Sequence, residues 1–168
     1  MSSFKPGEHV ADIKDLNRVR EWGGNQLITD AAGNPLILFH RTTEQFEQLD
    51  PARTRDGGIH FGHSGQALMR AGKNSHVFRV ALKASKVRRC KDTGGNWKAR
   101  IAAAKKAGAD AIVYLNRYEG MTTDIIERLQ QSGDLHRLDG LSDTAFLRLV
   151  PEAQDSYIVW DLDQIHLF

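Results

Sequence analysis

The segment QLITDAAGNPLILFH (residues 26–40) decides the kind of fold that the sequence predicts. Apolar residues occupy both ends of the segment, and the more polar stretch DAAGN separates them. Two short apolar runs around such a turn are typical of a β-hairpin, with strands at residues 26–29 and 35–40. The segment therefore favours antiparallel sheet over a doubly wound parallel sheet.

Helix and strand patterns alternate along the rest of the chain. Helices are predicted, from apolar residues at helical spacing, at residues 12–22, 64–70, 97–107 and 122–150, the last as two helices. Strands are predicted, from alternating or continuous apolar runs, at residues 59–61, 77–82, 111–115, 156–160 and 164–168. A short amphipathic element is expected at residues 42–49. Strands and helices interspersed in this way predict one compact α+β domain over residues 1–168, with mainly antiparallel sheet.

Length and composition are those of an ordinary globular domain. The chain has 168 residues, 40% of them hydrophobic, and a net charge of +2. No apolar run approaches the roughly 18–20 residues of a membrane helix, and the N-terminal segment lacks the apolar core of a secretory signal. We therefore expect no membrane partner and a cytoplasmic location, in the producing cell or in a target cell. The single cysteine, Cys90, excludes an internal disulfide.

The charges are unevenly distributed although their sum is small. Residues 83–106 contain nine basic residues and one acid, whereas residues 119–155 contain eight acids and three arginines. A basic stretch is usually a solvated surface, but it is also the pattern that binds nucleic acids. Trp97 is the one aromatic residue within it, and so few stacking platforms weaken the nucleic-acid interpretation.

Four segments carry the functional signal. They are REWGGNQLITDAAGNPLILFHRTTEQFEQLDP (residues 20–51), GGIHFGHSGQALMR (57–70), GADAIVYLNRYEG (108–120) and DSYIVWDLDQIHL (155–167). In this order they resemble ADP-ribosyltransferase domains of the diphtheria-toxin and poly(ADP-ribose) polymerase type, and in particular those of phage-type polyvalent proteins. Phosphate-loop, dinucleotide-binding and GxSxG motifs are absent from the sequence.

The resemblance implies two packed antiparallel sheets with flanking helices, gripping NAD+ in a cleft between them. It implies that NAD+ is a co-substrate, that no metal takes part, and that ADP-ribose passes to a macromolecular acceptor, a protein rather than a nucleic acid. Such a chain is expected to be a phage or bacterial effector or toxin, for which an immunity or inhibitor protein is a candidate partner. Residues 121–154 form a helical insert, and its apolar stripes are either core or part of a flap that reads the target.

Three neighbouring residues are assigned to NAD+ by their place in the first segment. His40 matches the family histidine that hydrogen-bonds a ribose hydroxyl, since an imidazole can donate from one nitrogen while the fold holds the other. Arg41 stands where the family has a glycine whose backbone binds the nicotinamide amide. Thr42 is expected to place its hydroxyl near the adenosine side, or else to be an ordinary turn residue.

The second segment supplies a further set of cofactor contacts. His60 occupies the position of the family tyrosine that stacks on nicotinamide, and an imidazole there can also stack although it is smaller and titratable. Gly58 and Phe61 flank it, Phe61 as a core residue. Arg53 and Arg55 precede it on a polar loop that lies over the donor in the family, so they are candidate partners of the pyrophosphate or solvated loop residues.

The catalytic carboxylate is the position at which the sequence departs most from the family. Ser156 stands where the polymerase-like members carry their catalytic glutamate, which favours transfer of one ADP-ribose over chain elongation. Glu119, after a buried strand, is the preferred substitute, and Asp155 is the alternative, although it lies on the opposite side of its strand from Ser156. Asn116 either bonds the substrate or caps the turn, and Ser156 is expected to orient a hydroxyl of the nicotinamide ribose.

Two other functions agree with parts of the same pattern. The departures at Arg41, His60 and Ser156 also suit a catalytically silent module of the same fold that binds a partner or nucleic acid through residues 83–106. An RNA 2′-phosphotransferase shares the fold and uses NAD+ with histidine and arginine in place of the glutamate. NAD+ turnover and removal of an RNA 2′-phosphate distinguish the three functions.

Overall fold

A computed structural model describes residues 13–42, 50–63 and 76–168 of the chain. The helices are α1 (Ile13–Gly23), α2 (Lys98–Lys106), α3 (Thr123–Ser132) and α4 (Asp143–Leu149). The strands are β1 (Leu38–Thr42), β2 (Ile59–Phe61), β3 (His76–Leu82), β4 (Val87–Cys90), β5 (Ala111–Leu115), β6 (Asp155–Val159) and β7 (Ile165–Leu167). The predicted helix at residues 64–70 and most of the amphipathic element at 42–49 lie outside the described residues.

The described strands form two sheets, which confirms the predicted α+β class. One sheet has three strands in the order β1-β3-β7, all antiparallel. The other has four strands in the order β2-β6-β5-β4, and its pairs are antiparallel except for β4 with β5. Five of the predicted strands and the helix at 97–107 are present to within one or two residues at each end.

The predicted hairpin at residues 26–40 is present as a local turn, with the Leu36 N–H bonded to the Ile28 carbonyl and the Asp30 N–H to the Asn34 carbonyl, but it is not built from two full strands. Residues 26–29 make only isolated bridges, from Leu27 to Lys83 and from Thr29 to Pro35. The turn between them is closed by the Asp30 carboxylate, which accepts hydrogen bonds from the backbone of Ala32 and Asn34. β1 begins only at Leu38 and pairs with β3, because that register buries its apolar side chains between the two sheets.

Strand β4 was not predicted, because its sequence gives no apolar signal. It reads VRRC and lies at an edge of the four-stranded sheet, where its first three side chains are exposed. Edge strands often carry such charges. β4 explains why one pair of strands is parallel, since α2 connects it to the neighbouring β5 as a crossover helix.

Three hydrophobic clusters hold these elements together. The first lies between the sheets and includes Leu38, Phe61, Val80, Leu82 and Val159. The second packs α2 against the other face of the four-stranded sheet, through Trp97, Ile101, Ala104, Ile112, Tyr114 and Ile158. The third joins the insert to the end of β5, through Leu115, Ile125, Leu129, Leu138, Phe146 and Val150. The apolar stripes of the insert are therefore buried, as the core interpretation predicted.

The two sheets also meet through the backbone. Phe39 of β1 and Gly62 exchange two hydrogen bonds, of 2.8 and 3.0 Å. This bridge brings β1 beside β2, so that His40 lies next to His60 although they are far apart in sequence.

Within the described residues, no helix has both the length and the apolar composition needed to cross a bilayer.

Candidate active site

A cleft of about 990 Å³ opens at one side of the four-stranded sheet. Three segments border it: the loop before β2, the loop between β4 and α2, and the end of β5 with the turn that follows. Its lining residues are Thr54, Arg55, Asp56, Gly58, His60, Asp92, Thr93, Gly94, Gly95, Asn96, Trp97, Tyr114, Asn116, Tyr118 and Glu119. A volume of this size is at the upper end of the range for small-molecule sites.

Five residues that the sequence assigned to a site share this cleft. They are Arg55, Gly58, His60, Asn116 and Glu119. They come from two segments, residues 55–60 and 116–119, and strands β2, β6 and β5 bring these together, because residues opposite one another on paired strands face the same side of the sheet. The cleft therefore combines a cation, an imidazole, an amide and a carboxylate.

His60 is held by a carboxylate that sequence reasoning missed. Its Nε2 lies 2.6 Å from Oδ2 of Asp56, and both side chains are largely buried, 14% and 17% exposed. Burial raises the pKa of Asp56, but the hydrogen bond and charge of His60 and the Gly58 N–H outweigh it, so that this pKa lies below its usual value. Asp56 is therefore ionised at neutral pH.

His40 lies behind His60 rather than in the lining of the cleft. Its Nδ1 donates a hydrogen bond of 2.7 Å to the His60 carbonyl, which can only accept. Its ring lies 5.4 Å from that of Phe61, a residue buried in the core between the sheets. In the neutral ring the proton is on Nδ1, so Nε2 is an acceptor. The expected pairing of one nitrogen with the fold is thus present at His40.

Glu119 is positioned by a turn that begins at Asn116. The Asn116 side chain accepts a 2.9 Å hydrogen bond from the Glu119 N–H and donates one of 3.0 Å to Oγ of Ser156. Asn116 and Ser156 are 4% and 2% exposed, whereas Glu119 is half-buried at the cleft. Asn116 therefore caps the turn, which is one of its two predicted roles, and Ser156 accepts a hydrogen bond from the Asn116 side chain.

Asp155 faces away from the cleft. Arg89 holds its carboxylate with two hydrogen bonds, of 2.7 and 3.1 Å. The hydrogen bond to Asp155 is also the main reason why the pKa of Arg89 lies above its usual value. Of the two carboxylates considered for the catalytic role, only Glu119 lies at the cleft.

The other predicted cofactor residues do not line the cleft. Arg41 and Thr42 are half-buried at the end of β1, opposite Val77 and His76 of β3. Arg53 is exposed in the short 3₁₀ turn Pro51–Arg53. Residues 43–49, which follow Thr42, lie outside the described residues.

An aromatic wall is the second feature that sequence reasoning missed. The rings of Trp97 and Tyr114 lie 4.4 Å apart, and the guanidinium of Arg100 lies 4.5 Å from the Trp97 ring. The edge of the His60 ring approaches Trp97 at 6.4 Å. Both rings line the cleft but are mostly buried, 9% and 3% exposed, so they form a rigid aromatic side of it. The only signal in the sequence was the glycine pair that precedes Trp97.

The loop between β4 and α2 is tied to the Glu119 turn by Asp92. This carboxylate, 5% exposed, accepts hydrogen bonds from the N–H groups of Gly94 and Arg117. The Tyr118 ring packs against Gly94, where a Cβ would lie 3.2 Å from it. Two walls of the cleft are thereby fixed relative to each other.

Arg117 anchors the insert to this turn. Its side chain, 2% exposed, donates to the carbonyls of Leu138 and Leu141 and to the carboxylate of Asp143. The guanidinium also lies 4.7 Å from the Phe146 ring. The region around α4 is therefore packed against the end of β5.

Much of the basic stretch at residues 83–106 is engaged within the protein. Lys86, Arg88, Lys91 and Arg100 each donate to a backbone carbonyl. Hydrogen bonds of this kind stabilise β4 and α2 against their neighbours. Among the described residues, no group of three His, Cys, Asp or Glu side chains could hold a metal ion.

Gly58 offers a test of how closely the cleft floor is packed. A Cβ at this position would lie 2.5 Å from Cγ2 of Ile158 and 2.9 Å from Cδ1 of Ile101. We expect Gly58→Ala to lower the stability by about 1–3 kcal/mol, because both side chains belong to a packed cluster. Gly95→Ala is the control, since nothing lies within 4 Å of a Cβ there. Equal thermal midpoints for the two variants would contradict this packing.

Comparisons of the chain with protein-family models, with curated proteins and with solved structures give no match. A function must therefore be argued from the residues and from the geometry of the cleft. The most informative features are a half-buried glutamate, an imidazole paired with a carboxylate, and an aromatic wall, all within one cavity.

Proposed function

We propose that the chain is a mono-ADP-ribosyltransferase that moves ADP-ribose from NAD+ to a macromolecular acceptor. The observation that carries the proposal is the position of Glu119, which the Asn116 turn holds at the same cleft as His60 and Arg55. The sequence resemblance selected these residues independently of their position in space. Two packed sheets with flanking helices agree with the fold that the resemblance implies. The cleft itself differs from that expectation, because it opens on the α2 side of the four-stranded sheet and not between the two sheets.

The cleft has the chemistry that NAD+ requires. A dinucleotide needs a site with an aromatic surface for a ring, a cation for the pyrophosphate and hydrogen-bonding groups for the riboses. Trp97 with Tyr114 offers the first, Arg55 the second, and Asn116 with His60 the third. We assign to His40 a supporting position, one hydrogen bond away from His60.

Transfer breaks the bond between the nicotinamide nitrogen and the anomeric carbon. The bonding electrons leave with nicotinamide, and positive charge develops on the ribose carbon and its ring oxygen. The Glu119 carboxylate stabilises this charge, and a half-buried carboxylate held by a turn needs little reorganisation to do so. An O–H or N–H group of the acceptor then bonds to the anomeric carbon and loses its proton.

The acceptor is proposed to be a protein, and the biological role that of a phage or bacterial effector or toxin acting in the cytoplasm. Both follow from the sequence resemblance. Single rather than repeated transfer follows from Ser156, because chain elongation in the family also uses the glutamate that this serine replaces. An immunity or inhibitor protein is the partner that such a role implies.

Labelled NAD+ tests the proposal directly. The purified protein, incubated with labelled NAD+ and a bacterial lysate, is expected to label a discrete band, and mass spectrometry should find one added ADP-ribose. His40→Ala should reduce labelling at least about tenfold, because it removes the support of the His60 carbonyl.

His136→Ala is the control for that variant, since this histidine is exposed in the turn Leu135–Gly140 of the insert. It should label as the wild type does. Absence of both labelling and nicotinamide release by the wild-type protein would reject the proposed function. Loss of a 2′-phosphate from RNA in the presence of NAD+ would replace it with the phosphotransferase function.

A further inference from the structure

The pair formed by Asp56 and His60 has a feature that the proposed function does not require. Nδ1 of His60 is buried and has no hydrogen-bond partner, although Nε2 of the same ring lies 2.6 Å from Asp56. A buried polar atom without a partner is unfavourable and uncommon in native proteins. The unpartnered Nδ1 of His60 is therefore a candidate for a functional role.

The contact of Nε2 with Asp56 and the missing partner of Nδ1 together determine which ring nitrogen carries the hydrogen. The ionised Asp56 carboxylate can only accept, so Nε2 must carry a hydrogen. A second proton on Nδ1 would create a buried N–H with no acceptor, which is unfavourable. Of the two neutral forms of His60, the favoured one therefore has its hydrogen on Nε2 and a lone pair on Nδ1.

Asp56 is itself fixed by the loop. Its Oδ1 accepts a 3.0 Å hydrogen bond from the N–H of Gly58, and its Oδ2 faces His60. The loop is closed further by the Thr54 hydroxyl, which accepts from the N–H of Gly57 and donates to the Pro51 carbonyl. A carboxylate held in this way can orient an imidazole without moving.

We propose that Asp56 is a positioning residue that keeps the His60 proton on Nε2, so that Nδ1 receives the proton of the acceptor nucleophile. This proposal rests on the proposed function. In the step, the bond from the anomeric carbon to nicotinamide breaks with its electrons on nicotinamide, the nucleophile bonds to that carbon, and its proton passes to Nδ1. The imidazolium so formed is stabilised by Asp56 and later releases the proton to water.

The step divides two tasks between two groups of the cleft. Glu119 stabilises positive charge on the ribose, and His60 removes the proton, so neither group needs both properties. His60 lines the cleft but its Nδ1 is buried in the structure, so the cleft wall around the ring must shift before a nucleophile reaches this nitrogen. The imidazole is then a base, in contrast to the tyrosine whose position it takes.

The position of the proton is measured first, without any substrate. Nitrogen-15 NMR of histidine-labelled protein distinguishes the two neutral forms, and His60→Gln identifies the His60 signals. The wild type is expected to show the neutral form with hydrogen on Nε2. Asp56→Asn should lose this preference, whereas Asp50→Asn, in the turn that precedes the same loop, should keep it. The form with hydrogen on Nδ1 in the wild type would overturn the proposal.

Kinetics of ADP-ribose transfer then test the role of the pair. His60→Gln should lower kcat by about 10²–10⁴-fold, the usual contribution of a general base. Asp56→Asn should lower kcat at least about tenfold with little change in KM, and Asp56→Glu should restore part of it. Asp50→Asn should keep the wild-type kcat.

The two sets of results separate the possible failures. Normal transfer by Asp56→Asn would overturn the positioning role and leave the proposed function intact. The expected NMR result in a protein that neither binds NAD+ nor transfers ADP-ribose would reject the proposed function, and with it the proton-transfer step.

Discussion

Glu119→Gln is expected to lower kcat for ADP-ribose transfer by about 10²–10³-fold, the cost of removing one preorganised electrostatic group from a transition state. Glutamine has nearly the same shape, and the hydrogen bond from the residue 119 N–H to Asn116 does not depend on the side chain. Binding of NAD+ should change little, because the ribose carries the positive charge only during the reaction. The loss should therefore fall on kcat rather than on KM.

The measurement is nicotinamide release and acceptor labelling over a range of NAD+ concentrations. Glu127→Gln is the control, since Glu127 is exposed on α3. Asp155→Asn is the second comparison, because this carboxylate is bound to Arg89 outside the cleft lining. A large loss of kcat in Asp155→Asn together with normal turnover by Glu119→Gln would reverse the assignment of the two carboxylates.

The strands with a strong apolar signal were predictable, and those without it were not. AIVYL at residues 111–115 is a continuous apolar run, and it forms β5 with the predicted bounds. VRRC forms β4 although its side chains are mostly exposed, and only tertiary contact with β5 makes it a strand. The hairpin at residues 26–40 forms its turn but not two full strands, because residues 38–42 pair with β3.

The arrangement of the site residues was predictable where those residues lie close together in the sequence. Asn116 and Glu119 are three residues apart, and the structure joins them by one hydrogen bond. Alternation along β6 also predicted that Asp155 and Ser156 face opposite sides, which their different partners agree with. Asp56 was missed because a carboxylate four residues before a histidine is its neighbour only in a helix or in a loop of special shape.

Arg117 shows how the insert affects the site without lining it. The residue lies between Asn116 and Glu119 in the sequence, and its backbone N–H binds Asp92 while its side chain binds the insert. Arg117 therefore links the insert to the turn that holds Glu119. Part of the acidic segment at residues 119–155 thus makes ion pairs within the protein, since Asp143 faces both Arg117 and Arg89.

Arg117→Met is expected to lower the free energy of unfolding by about 3 kcal/mol, because it leaves two carbonyls and part of Asp143 without their buried partner. For a chain of this size the thermal midpoint should fall by about 6–12 °C. Arg137→Met, at a residue whose side chain is 55% exposed in its ion pair with Asp134, should leave the midpoint nearly unchanged. If instead both variants have the same thermal midpoint as the wild type, the insert is not anchored through Arg117. ADP-ribose transfer by Arg117→Met should also be measured well below its thermal midpoint, where the protein is folded. If the turn that holds Glu119 is released from the insert, kcat should still be lower than in the wild type, which distinguishes an effect on the position of the turn from an effect on stability.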